Sequence, residues 1–168
     1  MPRLDFSWAV TINAPVEQVF SHLRDPENMW HMPGAEIADV KVTPEGVGTT
    51  VRNVFALPGL KHLGITGNVI IETIEFVPNR RIVTKPTPMM GRMIKFDGTW
   101  TWTFEPENGG TKLTVDYTEL ANWLVYAFDK LTEKKQNKEM NAWLAGLKTT
   151  LEASSRLSDS GANRPDHR

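Results

Sequence analysis

The chain has 168 residues, with 19 Lys and Arg against 20 Asp and Glu and no cysteine. Its length suits one domain, its net charge of −1 gives no field that would draw it to nucleic acid, and the lack of cysteine excludes disulfides, thiolate nucleophiles and cysteine-based metal sites. The start of the chain lacks the pattern of a signal peptide and no segment approaches about 18 consecutive apolar residues, so we expect a cytoplasmic protein with no stable membrane insertion.

The first predicted elements are one strand and two short helices. Residues 6–12, FSWAVTI, alternate between large apolar and smaller residues, which is the period of a strand with one buried face. The segment PVEQVFSHL has apolar residues at helical spacing behind Pro15, which suits a first helical turn. In DPENMWHMPG, Asp25 followed by Pro26 has the form of a cap and a first-turn proline, which predicts a second short helix.

The middle of the chain is predicted to consist of strands joined by turns. The last two strand segments each have one apolar face and neither is continuously apolar, which is typical of an antiparallel sheet with one side in water. The predicted strands are 36–42, 49–57, 65–77, 81–87, 93–106 and 111–120.

A long helix is predicted from about residue 122 to residue 155, a segment that contains no proline and is rich in helix-forming residues. Its apolar stripe begins at Leu124 and resumes at Met140, and extending it through the polar centre places Gln136 and Asn137 on the inward side. The tail at 158–168, SDSGANRPDHR, has no apolar periodicity, so we expect it to be disordered. A single domain is therefore predicted over residues 1–157.

The order of these elements predicts an α+β architecture. The apolar face of the sheet must be covered, and the long helix is the only large element that can cover it. A strongly twisted sheet can curve around such a helix and leave an apolar cavity between the two. Gly67 and Gly98 interrupt strands, where they suit bends of this kind, and the DG pair at Asp97 suggests a bulge.

Four sequence segments carry a resemblance to a known family. They are INAPVEQVFSHLRDPENMWHMPGAE near the start, PEGVGTTV at the second turn, GGTKLTVDYTE near the end and LAGLKTTLE in the last helix. In order and spacing they resemble the SRPBCC superfamily, whose START-like, helix-grip fold is shared with the birch-pollen allergen family. The polyketide cyclase/dehydrase and lipid transport branch is the most similar, over roughly residues 5 to 155.

The resemblance implies a curved antiparallel sheet of about seven strands around the long C-terminal helix. It also implies a cavity for a hydrophobic small molecule such as a lipid, sterol, quinone or polyketide. Large rings can form the walls of such a cavity, although aromatic residues at this spacing are as often simply core. The residues that we expect to bind the ligand are Trp30, Met32, Phe55, Met90, Met93, Trp100, Trp102, Tyr117, Phe128, Gln136, Asn137 and Met140.

Two residues are candidates for catalysis. His31 is predicted to lie on the second short helix. If that helix rims the cavity, its imidazole can act as a general acid or base near neutral pH or can hydrogen-bond a ligand. Asp97 would have a raised pKa if the predicted bulge turned its carboxylate into the interior. The histidines have no acidic partners at ligand spacing, so no metal site is predicted, and we expect no cofactor.

Three functions remain open at this point. The favoured one is binding or carriage of a hydrophobic molecule, and the alternative is an enzyme of the polyketide cyclase or dehydratase type that uses the same cavity. The third is an accessory protein-interaction module, because relatives of this fold bind chaperones and membrane complexes. The PGAE segment also resembles a small subunit family that accompanies carbon monoxide dehydrogenase maturation.

Overall fold

The computed structural model describes residues 1–31, 35–56, 66–89 and 94–162. These ranges contain seven strands and three helices, which confirms the α+β prediction. The elements are β1 (Arg3–Ile12), α1 (Val16–Leu23), α2 (Pro26–Met29), β2 (Ala35–Lys41), β3 (Thr50–Ala56), β4 (Thr66–Val77), β5 (Arg81–Pro88), β6 (Phe96–Glu107), β7 (Gly110–Ala121) and α3 (Trp123–Ala162).

The strands form one antiparallel sheet in the order β1-β7-β6-β5-β4-β3-β2. Neighbours from β2 to β7 follow one another in sequence, and β1 lies beside the last strand, β7. Trp8 lies opposite Val115, and both are buried because the alternation in each strand places them on the concave face. β6 pairs with β7 without a register shift through Asp97, so the predicted bulge there is wrong. Shifts occur instead in β2 after Ile37 and in β4 after Thr73.

The two short helices close one end of the concave face. The Asp25 carboxylate accepts a hydrogen bond of 3.0 Å from the Glu27 N–H, and this confirms the predicted cap of α2. Pro15 occupies the cap position before α1 and gives no side-chain hydrogen bond. α1 buries Phe20, whose ring contacts the edge of Phe104 on β6 with ring centroids 5.2 Å apart.

The long helix α3 contacts the sheet unevenly along its length. In its C-terminal half Leu144, Leu147 and Leu151 are buried in the main hydrophobic core together with β1 and α1. Near its start Trp123 is 75% exposed and Leu131 is 85% exposed. The apolar stripe of this helix is therefore buried against the core mainly from Met140 onward.

The helix is also longer than the sequence indicates. It continues to Ala162, which is beyond the predicted boundary between the domain and the tail at residue 158. The expected disorder of the remaining residues, 163–168, concerns a segment outside the described ranges. Each described helix is too short or too polar to cross a lipid bilayer.

The uneven packing of α3 predicts different effects for two leucines. Leu144 is 2% exposed, so Leu144→Ala should lower the free energy of unfolding by about 2–5 kcal/mol through lost apolar burial and a residual cavity. Leu131→Ala is the matched control on the exposed face and should change it by less than about 0.5 kcal/mol. Urea denaturation followed by tryptophan fluorescence measures both. Equal losses in the two variants would contradict this packing.

Candidate ligand-binding site

A cavity of about 390 Å³ lies between the concave face of the sheet and α3. Its walls come from the C-terminal end of α2, from strands β2 to β7 and from the first half of α3. Most of these side chains are apolar, and the polar ones are amides and one phenol. The described lining residues are Trp30, Ala35, Asn53, Phe55, Asn68, Val69, Ile71, Pro86, Pro88, Phe96, Trp100, Tyr117 and Gln136.

Stacked aromatic rings form one wall of the cavity. Trp100 on β6 lies directly opposite Tyr117 on β7, and their ring centroids are 4.4 Å apart. Trp8 on β1 also stacks with Trp100 at 6.0 Å, and Trp30 meets Trp100 edge to face at 5.8 Å. Such contacts lock the rings in place, so this wall is rigid and suited to a flat apolar surface.

A group of polar side chains lies behind this wall at the junction of β7 and α3. The Tyr117 hydroxyl donates to Glu119 Oε2 through a short hydrogen bond. From α3, Gln136 Nε2 donates to Asp129 Oδ1 at 3.0 Å and to Thr132 Oγ1 at 2.8 Å. These two hydrogen-bonded chains meet at the carboxyl groups of Glu119 and Asp129, which interact with each other. We call these two carboxyl groups the acid pair.

Local sequence explains why a glutamate is buried here. Glu119 is 4% exposed and lies two residues after Tyr117, in phase with the buried residues of β7. Its neighbour across the sheet is Gly98 on β6. A Cβ atom at Gly98 would lie 2.8 Å from the Tyr117 hydroxyl oxygen, so the glycine gives that hydroxyl the room it needs to reach Glu119.

Burial controls the protonation of the acid pair. Burial, followed by the charge and the hydrogen bond of Asp129, raises the pKa of Glu119 to about 7, although the bond from Tyr117 opposes this change. Burial also raises the pKa of Asp129. Glu119 Oε1 has no hydrogen-bond donor among the described residues, which suits a protonated oxygen that donates to Asp129. Burial and the charge of Glu119 raise the pKa of Tyr117, which stays a neutral phenol.

The cavity brings together five of the residues that the sequence predicts to bind ligand. They are Trp30, Phe55, Trp100, Tyr117 and Gln136.

Four other predicted ligand residues lie elsewhere. Trp102 and Met140 are buried in the core, and Asn137 accepts a hydrogen bond of 2.8 Å from the Trp8 indole. Phe128 is 43% exposed on α3. None of the four lines the described cavity. The remaining predicted residues, Met32, Met90 and Met93, are outside the described ranges.

The two residues predicted to be catalytic are both exposed and separate from the cavity. Asp97 points away from the core on β6 and forms an ion pair of 3.0 Å with Lys85 on β5. His31 lies beside an open surface groove that also contains His22 and Trp143, and its backbone carbonyl accepts a hydrogen bond from the Trp143 indole. A role for either residue in proton transfer stays a prediction that the described cavity geometry does not favour.

The sequence reasoning missed the acid pair and Asn53. The burial of Glu119 could have been predicted from the sequence, because Glu119 continues the inward-facing alternation of Leu113 and Val115 along β7. Asp129 precedes Gln136 by seven residues and therefore occupies the same face of α3. Asn53 is 5% exposed and its Oδ1 has no partner among the described residues, although nothing in its sequence neighbourhood distinguishes it. No three metal-ligating side chains converge within the part of the chain that the structure describes.

Comparison with known proteins gives the same fold. The sequence model of a family described as "Polyketide cyclase / dehydrase and lipid transport" matches residues 3–152. A solved structure from Chromobacterium violaceum is similar with a TM-score of 0.65 and 18% identity, and the match covers 88% of this chain and 96% of that chain. A solved structure from Thermus thermophilus is similar with a TM-score of 0.63 and 22% identity, over 92% of this chain and 99% of that chain.

A third solved structure, Ara h 8.0201, is similar with a TM-score of 0.57 and 14% identity over 92% of this chain and 98% of that chain. At these identities the structural likeness shows the fold alone. No protein with a curated description matches the sequence.

The raised pKa of Glu119 predicts that stability depends on pH. Between about pH 4.5, its ordinary pKa, and about pH 7, only the folded state holds the proton. The free energy of unfolding should therefore fall as pH rises through this window and become level above it, a loss on the order of 3 kcal/mol. Glu119→Gln cannot ionise and keeps the shape of the side chain, so it should lack most of this loss, and what remains would come from Asp129, whose pKa burial also raises.

Urea denaturation of both proteins across the window measures the difference. Glu36→Gln is the control, because Glu36 is exposed on β2 and the variant should keep the slope of the natural protein. A Glu119→Gln variant that loses stability as steeply as the natural protein would show that Glu119 is ionised in the folded state well below pH 7.

Proposed function

The chain belongs to the polyketide cyclase/dehydrase and lipid transport family, and from this premise we propose that it binds one hydrophobic small molecule in the cavity between the sheet and α3. The family and the fold support hydrophobic ligand binding in general. The observation that carries the proposal for this cavity is its volume of about 390 Å³ beside a wall of packed aromatic rings.

The size and shape of the cavity favour a compact ligand. Its volume is near the lower end of the range of small-molecule pockets, which is roughly 300–1,000 Å³. The packed wall that includes the Trp100–Tyr117 stack suits a rigid planar ring system better than a flexible chain. Among the ligand types that the family implies, a molecule of one or two rings, as in a quinone or a cyclised polyketide, therefore fits better than a long lipid.

Binding energy would come mainly from apolar burial. Each 100 Å² of ligand surface removed from water contributes about 2.5 kcal/mol. The walls are already packed against one another before a ligand enters, so little side-chain entropy is lost on binding. A protein with these properties would hold and carry its ligand without any chemical step.

Proton transfer inside the cavity is a second candidate function, and the buried position of Glu119 with its pKa of about 7 favours it. Tyr117 lines the cavity and Glu119 lies behind it. In such a reaction the Tyr117 oxygen would take a proton from the carbon beside a ketone while its own hydrogen passes to the ionised Glu119, leaving an enolate. The reverse transfer would return a proton to that carbon. Aldol-type and dehydration steps of polyketides begin with this proton removal.

Filling the cavity tests the binding proposal. Val69→Phe adds a ring inside the cavity and should weaken the binding of an apolar naphthalene dye at least about tenfold, because the ring occupies the space of the ligand. Ile74→Phe, on the same strand but 46% exposed, is the control and should bind the dye normally. Fluorescence titration measures both. Unchanged binding in Val69→Phe, or no binding in the natural protein, would contradict the proposal.

Deuterium exchange tests the second candidate. In heavy water the natural protein should speed up exchange at the carbon beside the carbonyl of 2-tetralone, a compact bicyclic ketone, as followed by proton NMR. Glu119→Gln should lower the protein-dependent rate by about a hundredfold or more, since it removes the base. His31→Ala should leave the rate unchanged. Exchange at the buffer rate with the natural protein would exclude this activity for the ketone.

A further inference from the structure

The polar side chains at the inner wall of the cavity already donate their hydrogen atoms to other groups of the protein. The Tyr117 hydroxyl donates its single hydrogen to Glu119, so its oxygen can only accept from a ligand. Gln136 donates its N–H groups to Asp129 and Thr132, so only its carbonyl oxygen remains for the cavity. Both lining groups on this wall therefore present acceptors.

The charge behind this wall is negative. The acid pair lies one hydrogen bond behind Tyr117 and Gln136, and the described lining contains no Lys, Arg or His. The ionisable groups that act on Glu119 are Tyr117 on its own strand and Asp129 from α3. Its register partners on the adjacent strands are Leu4 and Gly98, which carry no charge. Nothing described around the pair supplies a balancing cation.

A separate observation comes from the other side of the cavity. Asn53 on β3 is 5% exposed and lines the cavity, and its Oδ1 atom has no donor among the described residues. A buried carbonyl oxygen without a donor costs on the order of 1–3 kcal/mol, so such groups usually have a partner. Because that atom is itself closed to solvent, a ligand N–H group would reach it only after the amide turns about its Cβ–Cγ bond.

The aromatic wall suits the same kind of ligand. Trp100, Tyr117 and Trp30 line the cavity, and aromatic rings of this kind attract a cation, with Trp the strongest. The indole N–H groups of the two tryptophans are neutral donors, so they do not offset the negative charge of the acid pair.

We propose that the ligand of this cavity is an arylalkyl or alicyclic amine, bound as its ammonium ion with the N–H groups facing the acceptors of Tyr117 and Gln136 in front of the acid pair. This inference rests on the proposed ligand cavity and names the chemical class of its ligand. At this wall a carboxylate of the same shape would meet acceptors and negative charge, so it should bind less tightly than the amine even though the amides of Asn53 and Asn68 also line the cavity.

Amine binding and protonation of the acid pair should oppose each other. An ammonium ion favours the ionised pair, so its binding releases a proton from Glu119 near pH 7. Affinity for the amine should therefore rise between about pH 6 and pH 8, while the affinity of a neutral compound of the same shape stays constant.

Three probes of nearly the same shape test the inference with the full chain. They are 1-naphthylmethylamine, which is a cation at neutral pH, 1-naphthylmethanol, which is neutral, and 1-naphthoic acid, which is an anion. Isothermal titration at about pH 7.5 should show the amine binding about tenfold more tightly than the alcohol, with the acid the weakest of the three.

Isosteric variants identify the source of the preference. Glu119→Gln and Asp129→Asn each remove a carboxylate with little change of shape, and each should reduce the tenfold ratio of amine to alcohol affinity toward one. Either variant suffices if the other does not fold. Glu36→Gln, the exposed control, should keep the full ratio.

The possible results separate this inference from the proposed function. Equal affinities for the three probes, or tightest binding of the acid, would overturn the amine inference and leave the apolar cavity intact. Failure of all three probes to bind would overturn both. An amine preference that persists unchanged in Glu119→Gln and Asp129→Asn would also overturn the inference, because its physical cause would then lie outside the acid pair.

Discussion

The structure depends on how a single helix covers a sheet that has one apolar face. Leu144, Leu147 and Leu151 in the second half of α3 are buried against β1 and α1, and this contact holds the two layers together. The first half of the helix carries Asp129 and Gln136 on the same side, and polar side chains of this kind do not pack closely onto an apolar surface. The cavity lies where close packing ends and these polar groups begin.

This arrangement also explains why carboxyl groups can be buried beside an apolar space. Each carboxyl group of the acid pair has a neutral donor, because Tyr117 donates to Glu119 and Gln136 donates to Asp129. Burial raises the pKa of both acids, so the pair retains a proton at a pH at which exposed carboxyl groups are ionised. The same wall then provides apolar contact, acceptor atoms and negative charge within a small volume, a combination that can select one ligand class from others of equal size.

Much of the fold was predictable from local patterns. The alternation in β1, β6 and β7, the cap at Asp25 and the proline-free C-terminal segment correspond to the observed elements, and the family resemblance of the whole is confirmed by the match over residues 3–152. The prediction of a bulge at Asp97 was wrong because the DG pair lies inside a continuously paired strand and not in an unpaired segment. Here β7 pairs continuously past it and holds Asp97 in the outward phase, where Lys85 is its partner.

The sequence by itself determined which face of each element is apolar, because burial follows the short-range periodicity of apolar residues. From these faces followed the two layers, the long covering helix and five of the cavity residues. The sequence did not determine which inward positions meet across the cavity. Glu119 lies on β7 and Asp129 on α3, and Asn53 lies on β3, a strand toward the other edge of the sheet. The pKa of a carboxyl group and the missing partner of an amide are set by neighbours distant in sequence, so only the tertiary structure decided where the chemistry of this protein lies.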